Sequence, residues 1–257
     1  MENLRVSIVQ ADLAWEDREA NFRHFDSLLA PLCGQTDLIL LPEMFTTGFS
    51  MAAARLAEPE DGPTRVWMAA QALKTGAVVA GSCIIAEAGV FYNRLLWVSP
   101  NGQVERYDKR HLFTLSGEHL YYHAGQTRLI TTLKGWRICP LICYDLRFPV
   151  WSRNTEAFDL LVYVANFPAR RAHAWKSLLL ARAIENQCYT IGVNRTGTDG
   201  NGHAYSGDSC VLDFEGHYCT IGPPGEFIQT IVLEAAPMQD FRKKFPFLSD
   251  RDDFFLK

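Results

Sequence analysis

Apolar and polar positions alternate along the chain in an order that predicts buried strands separated by amphipathic helices. LRVSIVQ (4–10) is β-branched and predicts a strand. REANFRHFDSLLAPL (18–32) places Phe22, Phe25, Leu28 and Leu29 at helical spacing. TDLILLPE (36–43) is a continuous apolar run bounded by Asp37 and Pro42, as expected of a strand buried on both faces. TRVWMAAQALKT (64–75) reads as a helix and AVVAGSCII (77–85) as a strand. GVFYNRLLWVSPNGQVERYDK (89–109) sets Asn101-Gly102 between two apolar segments and predicts a hairpin. TRLITTLKGWRICPLICYD (127–145) predicts another strand pair around Lys134-Gly135. FDLLVYVANFP (158–168) is a buried strand, AHAWKSLLLARAIENQ (172–187) the clearest helix and CYTIGVN (188–194) a strand. SCVLDFEGHYCTI (209–221) predicts a hairpin turning near Glu215-Gly216, and EFIQTIVLE (226–234) a last strand before a short helix and an extended tail.

Strands outnumber helices, and pairs of strands separate the helices. This order predicts an α/β fold in which two mixed sheets pack together with helices outside. No composition shift, Ser/Gly linker, internal repeat or low-complexity tract divides the chain. Residues 1–257 therefore read as one domain, with a C-terminal tail from about 235.

Composition changes this picture little. The 257 residues are 48% hydrophobic and 21% charged, enough for a sizeable core. The net charge of −4, with both signs interspersed, gives no basis for nucleic acid or an anionic membrane as partner. MENLRVSIVQ has no basic segment leading into a long apolar stretch, so no signal peptide is expected, and no apolar run is long enough to span a bilayer. The seven cysteines include no tight CxxC pair, which argues against a zinc knuckle or a redox dithiol. His173 and His203 have no neighbours at ligand spacing, so no metal is expected, and no cofactor. A reduced, cytoplasmic protein is the simplest expectation.

Three segments share one shape, an apolar strand with a polar residue just past its end: LILLPE at Glu43, VERYDK at Lys109 and CPLIC at Cys143. In α/β sheets ligands gather beyond the carboxyl ends of strands. A carboxylate, an ammonium and a thiol meeting there suffice for acyl transfer. Taken singly, each has a plainer reading: a loop acid, one member of a solvated charge run, a core thiol.

Four separated motifs together decide between these readings. LLPEMFTTGF, YDKRHLF, the Gly-Glu at 117–118 and LICYDLRFP stand in the order of the glutamate, lysine and cysteine signatures of the nitrilase superfamily of carbon–nitrogen hydrolases, which the chain resembles. ARAIENQCYTIGVNRTGTDGNGHAYSGDS (181–209) is similar to the later helix–strand–loop block of that superfamily, so the likeness runs from about Val6 to about Leu233. It implies a four-layer αββα sandwich that commonly forms a homodimer. It also implies Cys143 as nucleophile, Glu43 as general base, Lys109 as stabiliser of the oxyanion and Glu118 as a second glutamate positioning Lys109 or the substrate. The strand-to-helix elbow at Cys143 would leave the Tyr144 backbone N–H free to face the oxyanion. Asp145 and Arg147 are expected to hold the elbow, and Arg182, Glu185 and Asn186 to form a polar network or a dimer contact.

CYDLRFPVWSRN and NFPARRAHAWKSLLLARAIENQ look most like the omega-amidase branch, which hydrolyses the terminal amide of short dicarboxylate monoamides such as 2-oxoglutaramate. Such a small-molecule substrate calls for an arginine to bind its distal carboxylate, and Arg170, Arg171 and Arg195 are the candidates. A related amidase or carbamoylase acting on another small amide is the alternative. A non-catalytic ligand-binding member would more naturally lack one of Glu43, Lys109 and Cys143.

Overall fold

The computed structural model describes residues 1–254. In chain order its strands are β1 (Leu4–Gln10), β2 (Leu38–Leu40), β3 (Val78–Glu87), β4 (Val90–Val98), β5 (Val104–Asp108), β6 (Thr131–Leu133), β7 (Trp136–Ile142), β8 (Leu160–Ala165), β9 (Tyr189–Asn194), β10 (Thr196–Thr198), β11 (Ala204–Ser206), β12 (Cys210–Leu212), β13 (Tyr218–Ile221) and β14 (Phe227–Leu233). The helices are α1 (Arg18–Leu29), α2 (Ala53–Leu56), α3 (Pro63–Thr75), α4 (Pro149–Ser152), α5 (Ala172–Asn186) and α6 (Ala235–Lys244). One six-stranded sheet has the order β14-β1-β2-β3-β4-β5 and the other β13-β12-β9-β8-β7-β6. Each is built on three parallel strands, β1-β2-β3 and β7-β8-β9, with antiparallel strands outside them.

The period of two along the strands sorts side chains between layers. Val6, Ile8, Leu38, Leu40, Val78 and Ala80 of the first sheet meet the second sheet in one core. On the other face Val9, Ile39 and Val79 pack against Phe22, Phe25 and Leu29 of α1 and Met68 and Ala72 of α3. Trp175 and Leu179 cover the second sheet from α5, giving the order α–β–β–α. Gly192 on β9 permits that approach: a Cβ there would lie 2.4 Å from Leu179 Cδ1 and 2.5 Å from Trp175 Cζ2.

Most element positions follow the hydrophobic pattern, the short helices α2 and α4 being unforeseen, and two further departures lie at 36–43 and 195–208. The run 36–43 pairs as a strand only over Leu38–Leu40, because the chain leaves the sheet and turns at Met44, whose φ is 43°. The segment 195–208 folds back on itself as the β10–β11 ribbon, a hairpin too short and Gly-rich to show in the pattern. No helix among the described residues is long and apolar enough to cross a membrane.

Candidate active site

Cys143 immediately follows β7 and has φ 43°, in the left-handed region that a non-glycine residue rarely holds. Such strain persists only where the surroundings over-determine it. Here Asp145 over-determines it: its Oδ2 accepts the Ile142 N–H at 3.0 Å and closes the turn Cys143–Arg147. Met44, next to Glu43, is held likewise, its N–H donating to Ser82 Oγ at 2.8 Å. The side-chain amide of Asn166 donates to the Glu43 carbonyl.

β2, β5 and β7 all run toward the same edge of the sandwich, and their ends bring Glu43, Lys109 and Cys143 together. Lys109 Nζ donates to Glu43 Oε1 at 2.8 Å and to both oxygens of Glu118 at 3.0 Å. Asn93 Nδ2 joins the same two carboxylates, at 2.8 Å to Glu43 and 3.4 Å to Glu118. Glu43 Oε2 accepts the Asn166 N–H at 2.8 Å, and the Cys143 thiol lies 3.8 Å from the Asn166 carbonyl oxygen. Glu43, Lys109 and Glu118 are fully buried, so neither the loop acid nor the solvated lysine is realised.

Two carboxylates, one ammonium and one thiol share this desolvated volume. Burial opposes the Lys109 ammonium, but the charges of Glu118 and Glu43 outweigh it and hold the group above its ordinary value. Burial raises the Glu118 carboxyl, offset in part by Lys109. Burial, and then the charge of Glu43, push the Cys143 thiol well above its ordinary value, with Lys109 opposing. The resting arrangement is therefore a neutral thiol beside a carboxylate–ammonium cluster. Such a set can pass a proton from sulfur to carboxylate as sulfur attacks a carbonyl.

Cys143 lines a cavity of about 390 Å³, bounded also by Lys109, Tyr144, Asn166, Phe113 and Phe167. Arg147, Arg170 and Arg171 line it as well. Among the described residues none of these three arginines forms an ion pair, in contrast to Arg94, Arg182 and Arg242 elsewhere in the fold. The Arg171 guanidinium sits 5.0 Å from the Phe113 ring centre and 5.6 Å from that of Phe167. Burial lowers its pKa, and Arg170 and Arg147 add to that.

Arg195 is elsewhere. It is fully buried, its Nη2 donates to Asp12 at 2.8 Å and its Nε to the Thr196 carbonyl at 3.0 Å, and its guanidinium lies over Tyr205. Those partners hold it outside the cavity lining, which corrects its expected place as a carboxylate-binding candidate. Arg147, expected only to brace the elbow, faces the cavity instead. Asn93 and Asn166 were not legible as site residues, because neutral amides next to strand ends carry no motif of their own. Arg182 pairs with Glu185 and donates to the Leu146 carbonyl at 2.7 Å, while Asn186 bonds the Ser152 carbonyl at 3.0 Å, so this network braces the turn after Cys143 from α5.

The carbon-nitrogen hydrolase family matches residues 5–242. The chain is 48% identical over 259 residues to the omega-amidase YafV of Yersinia enterocolitica, covering 100% of both chains. It is 33% identical over 256 residues to the 2-oxoglutaramate amidase of Bacillus subtilis, covering 97% of this chain and 98% of that one. It is also similar to the crystal structure of a CN-hydrolase superfamily protein from Xanthomonas campestris with an arsenic adduct in its active site, at 47% identity, full coverage of both chains and a TM-score of 0.98. With a family match over nearly its whole length and relatives this close, the chain belongs to the carbon–nitrogen hydrolases of the nitrilase superfamily, and is an amidase of that family.

Proposed function

We propose that the protein releases ammonia from the terminal amide of a small dicarboxylate monoamide, 2-oxoglutaramate being the first choice, through a thioester on Cys143. One observation carries this reading: Cys143 and Lys109, the latter hydrogen-bonded to Glu43, line a cavity whose wall holds three arginines without carboxylate partners among the described residues. The guanidinium groups on the cavity wall, without ion-pair partners among the described residues, call for an anion. Arg171, half-buried between two phenylalanine rings, is the best placed of them to grip a carboxylate bidentately. The names of two relatives, omega-amidase and 2-oxoglutaramate amidase, support the same substrate class.

Chemistry follows from the hydrogen bonds. Glu43 takes the thiol proton while Cys143 Sγ attacks the amide carbon, and the carbonyl electrons move onto oxygen. The three Lys109 N–H donors are all engaged at rest, one of them on Glu43. Protonated Glu43 is the poorer acceptor, which frees that donor for the oxyanion just as charge develops there; stabilisation specific to the transition state raises kcat. The Tyr144 backbone N–H serves as the second donor. Glu43 then protonates the nitrogen, ammonia leaves, and the thioester remains. Glu43 next activates a water, whose attack releases the acid and restores the thiol. Glu118 keeps Lys109 in place throughout.

Ammonia release across dicarboxylate monoamides, neutral amides, carbamoyl compounds and nitriles tests the assignment. Dicarboxylate monoamides should give the highest kcat/KM, and intact-mass spectrometry should show an acyl adduct on Cys143. Arg171→Leu should narrow the gap between dicarboxylate monoamides and neutral amides. If neutral amides or carbamoyl compounds outrun every dicarboxylate monoamide, the substrate assignment fails.

A further inference from the structure

Asp145, two residues after Cys143, is fully buried and has no lysine or arginine partner among the described residues. Four donors fill its carboxylate. Oδ2 accepts from Tyr107 Oη at 2.7 Å and from the Ile142 N–H at 3.0 Å. Oδ1 accepts from the His111 N–H at 3.0 Å and contacts His111 Nδ1 at 2.8 Å. Tyr107 and His111 stand two residues before and two residues after Lys109, and Ile142 immediately precedes Cys143. One carboxylate thus ties the backbone at the thiol to both flanks of the ammonium.

The topology explains why such a tie is needed. Lys109 follows β5, which is an edge strand of the first sheet and pairs only with β4. Cys143 follows β7, in the second sheet. No ladder of backbone hydrogen bonds connects the two strands, so side chains must set the separation of ammonium and sulfur. The contacts to Asp145 are themselves fixed from α4 and the residue before it. The Trp151 indole donates to Tyr107 Oη at 3.0 Å, and the Phe148 ring stacks on His111 with centroids 3.6 Å apart.

We propose that Asp145 is a positioning residue that sets the place of Lys109 relative to the Cys143 sulfur through Tyr107 and His111, rather than a cap for the turn alone. The inference rests on the proposed roles of Cys143 and Lys109 and is independent of which amide is the substrate. A misplacement near 1 Å is enough to cost on the order of 10²-fold in rate.

The decisive measurement is kcat and KM on whichever amide wild-type enzyme hydrolyses best, for Asp145→Asn, His111→Leu, His111→Asn and the pair Tyr107→Phe/His111→Leu. Asp145→Asn should lower kcat on the order of 10²-fold with little change in KM. His111→Leu should give a smaller loss in the same direction. His111→Asn keeps a donor near the Nδ1 position and should restore most of it. The pair Tyr107→Phe/His111→Leu should approach Asp145→Asn. His111 is only partly buried, its side chain 22% exposed, so its variants keep the test alive should Asp145→Asn fail to fold. A cap without a positioning role predicts lower thermal stability with unchanged kcat in folded His111→Leu and in the Tyr107/His111 pair. That result, or equal activity in His111→Leu and His111→Asn, overturns the proposal. Failure of wild type on 2-oxoglutaramate would instead refute only the substrate assignment.

Discussion

Lys109 Nζ is held between two carboxyl groups, since Glu43 and Glu118 both contact it. In the proposed mechanism Glu43 is neutralised as it takes the thiol proton, so the oxyanion takes over its place as a negative partner of the ammonium. Lys109→Ala should therefore lower kcat by about 10²–10³-fold while KM moves little, as expected for a donor that acts in the transition state. A rise in KM with kcat intact would reassign Lys109 to ground-state binding. The same cluster keeps Cys143 protonated at rest, because burial and then Glu43 raise the thiol and Lys109 offsets only part of that. Alkylation of Cys143 by iodoacetamide should thus keep accelerating past about pH 8.5, the pKa of a free thiol. A rate that is flat from about pH 5 to pH 8 would show a resting thiolate and contradict proton transfer during attack.

Helix α5 and strand β9 show how an element delivers the site. Arg170 and Arg171 lie on the turn Ala169–Arg171 that leads into α5, so the seat of α5 on the second sheet sets where these arginines stand. Gly192 allows that seat, and the ring it faces is fixed, since the Trp175 indole donates to the Asp208 carbonyl at 2.9 Å. Gly192→Ala should cost about 1–3 kcal/mol of stability, the usual range for overpacking, read as a lower urea midpoint. It should also raise KM for the dicarboxylate monoamide more than for a neutral amide. An unchanged midpoint would show that α5 can shift freely. The elements themselves were legible in the sequence because the sandwich buries strands on both faces and helices on one, which writes continuous apolar runs for the strands and a period of 3.6 for the helices. β10 and β11 were not, because TGT and AYS are three residues each in a Gly-rich polar stretch. Glu43, Lys109 and Cys143 lie past strand ends, where each alone had a plainer reading, and the family motifs singled them out. The orientation of Arg195 did not stand out, since Asp12, its partner, lies 183 residues away in the chain. Arg147 and Asn166 gained their places from the turn after Cys143 and the end of β8, which local pattern does not encode.

At the scale of the whole molecule, the interior holds many neutral groups that ionise in alkali. Besides Cys143, the thiols Cys83, Cys139, Cys188 and Cys210 are buried and free. Burial raises all four, Cys188 and Cys210 to about 12, and does the same to the phenols of Tyr107 and Tyr163. A folded pKa above the unfolded one means that the unfolded chain gives up its proton first as pH rises. The contribution to stability is complete below the unfolded thiol pKa, near 8.5, and is lost as pH climbs from there toward the folded value. Within that window each thiol removes about 1.4 kcal/mol per pH unit. Total stabilities are about 5–15 kcal/mol, so four thiols together can exhaust the margin within about one to three units. The urea midpoint, measured under reducing conditions, should therefore hold near neutrality and fall steeply above about pH 8.5. Cys210→Ala should lower the midpoint at pH 7, because it empties buried volume, and should make the alkaline fall shallower, because one ionising thiol is gone. A wild-type midpoint that stays constant between about pH 7.5 and pH 10 would mean that water reaches these thiols in the folded state, contrary to their burial between the two sheets and under the helices.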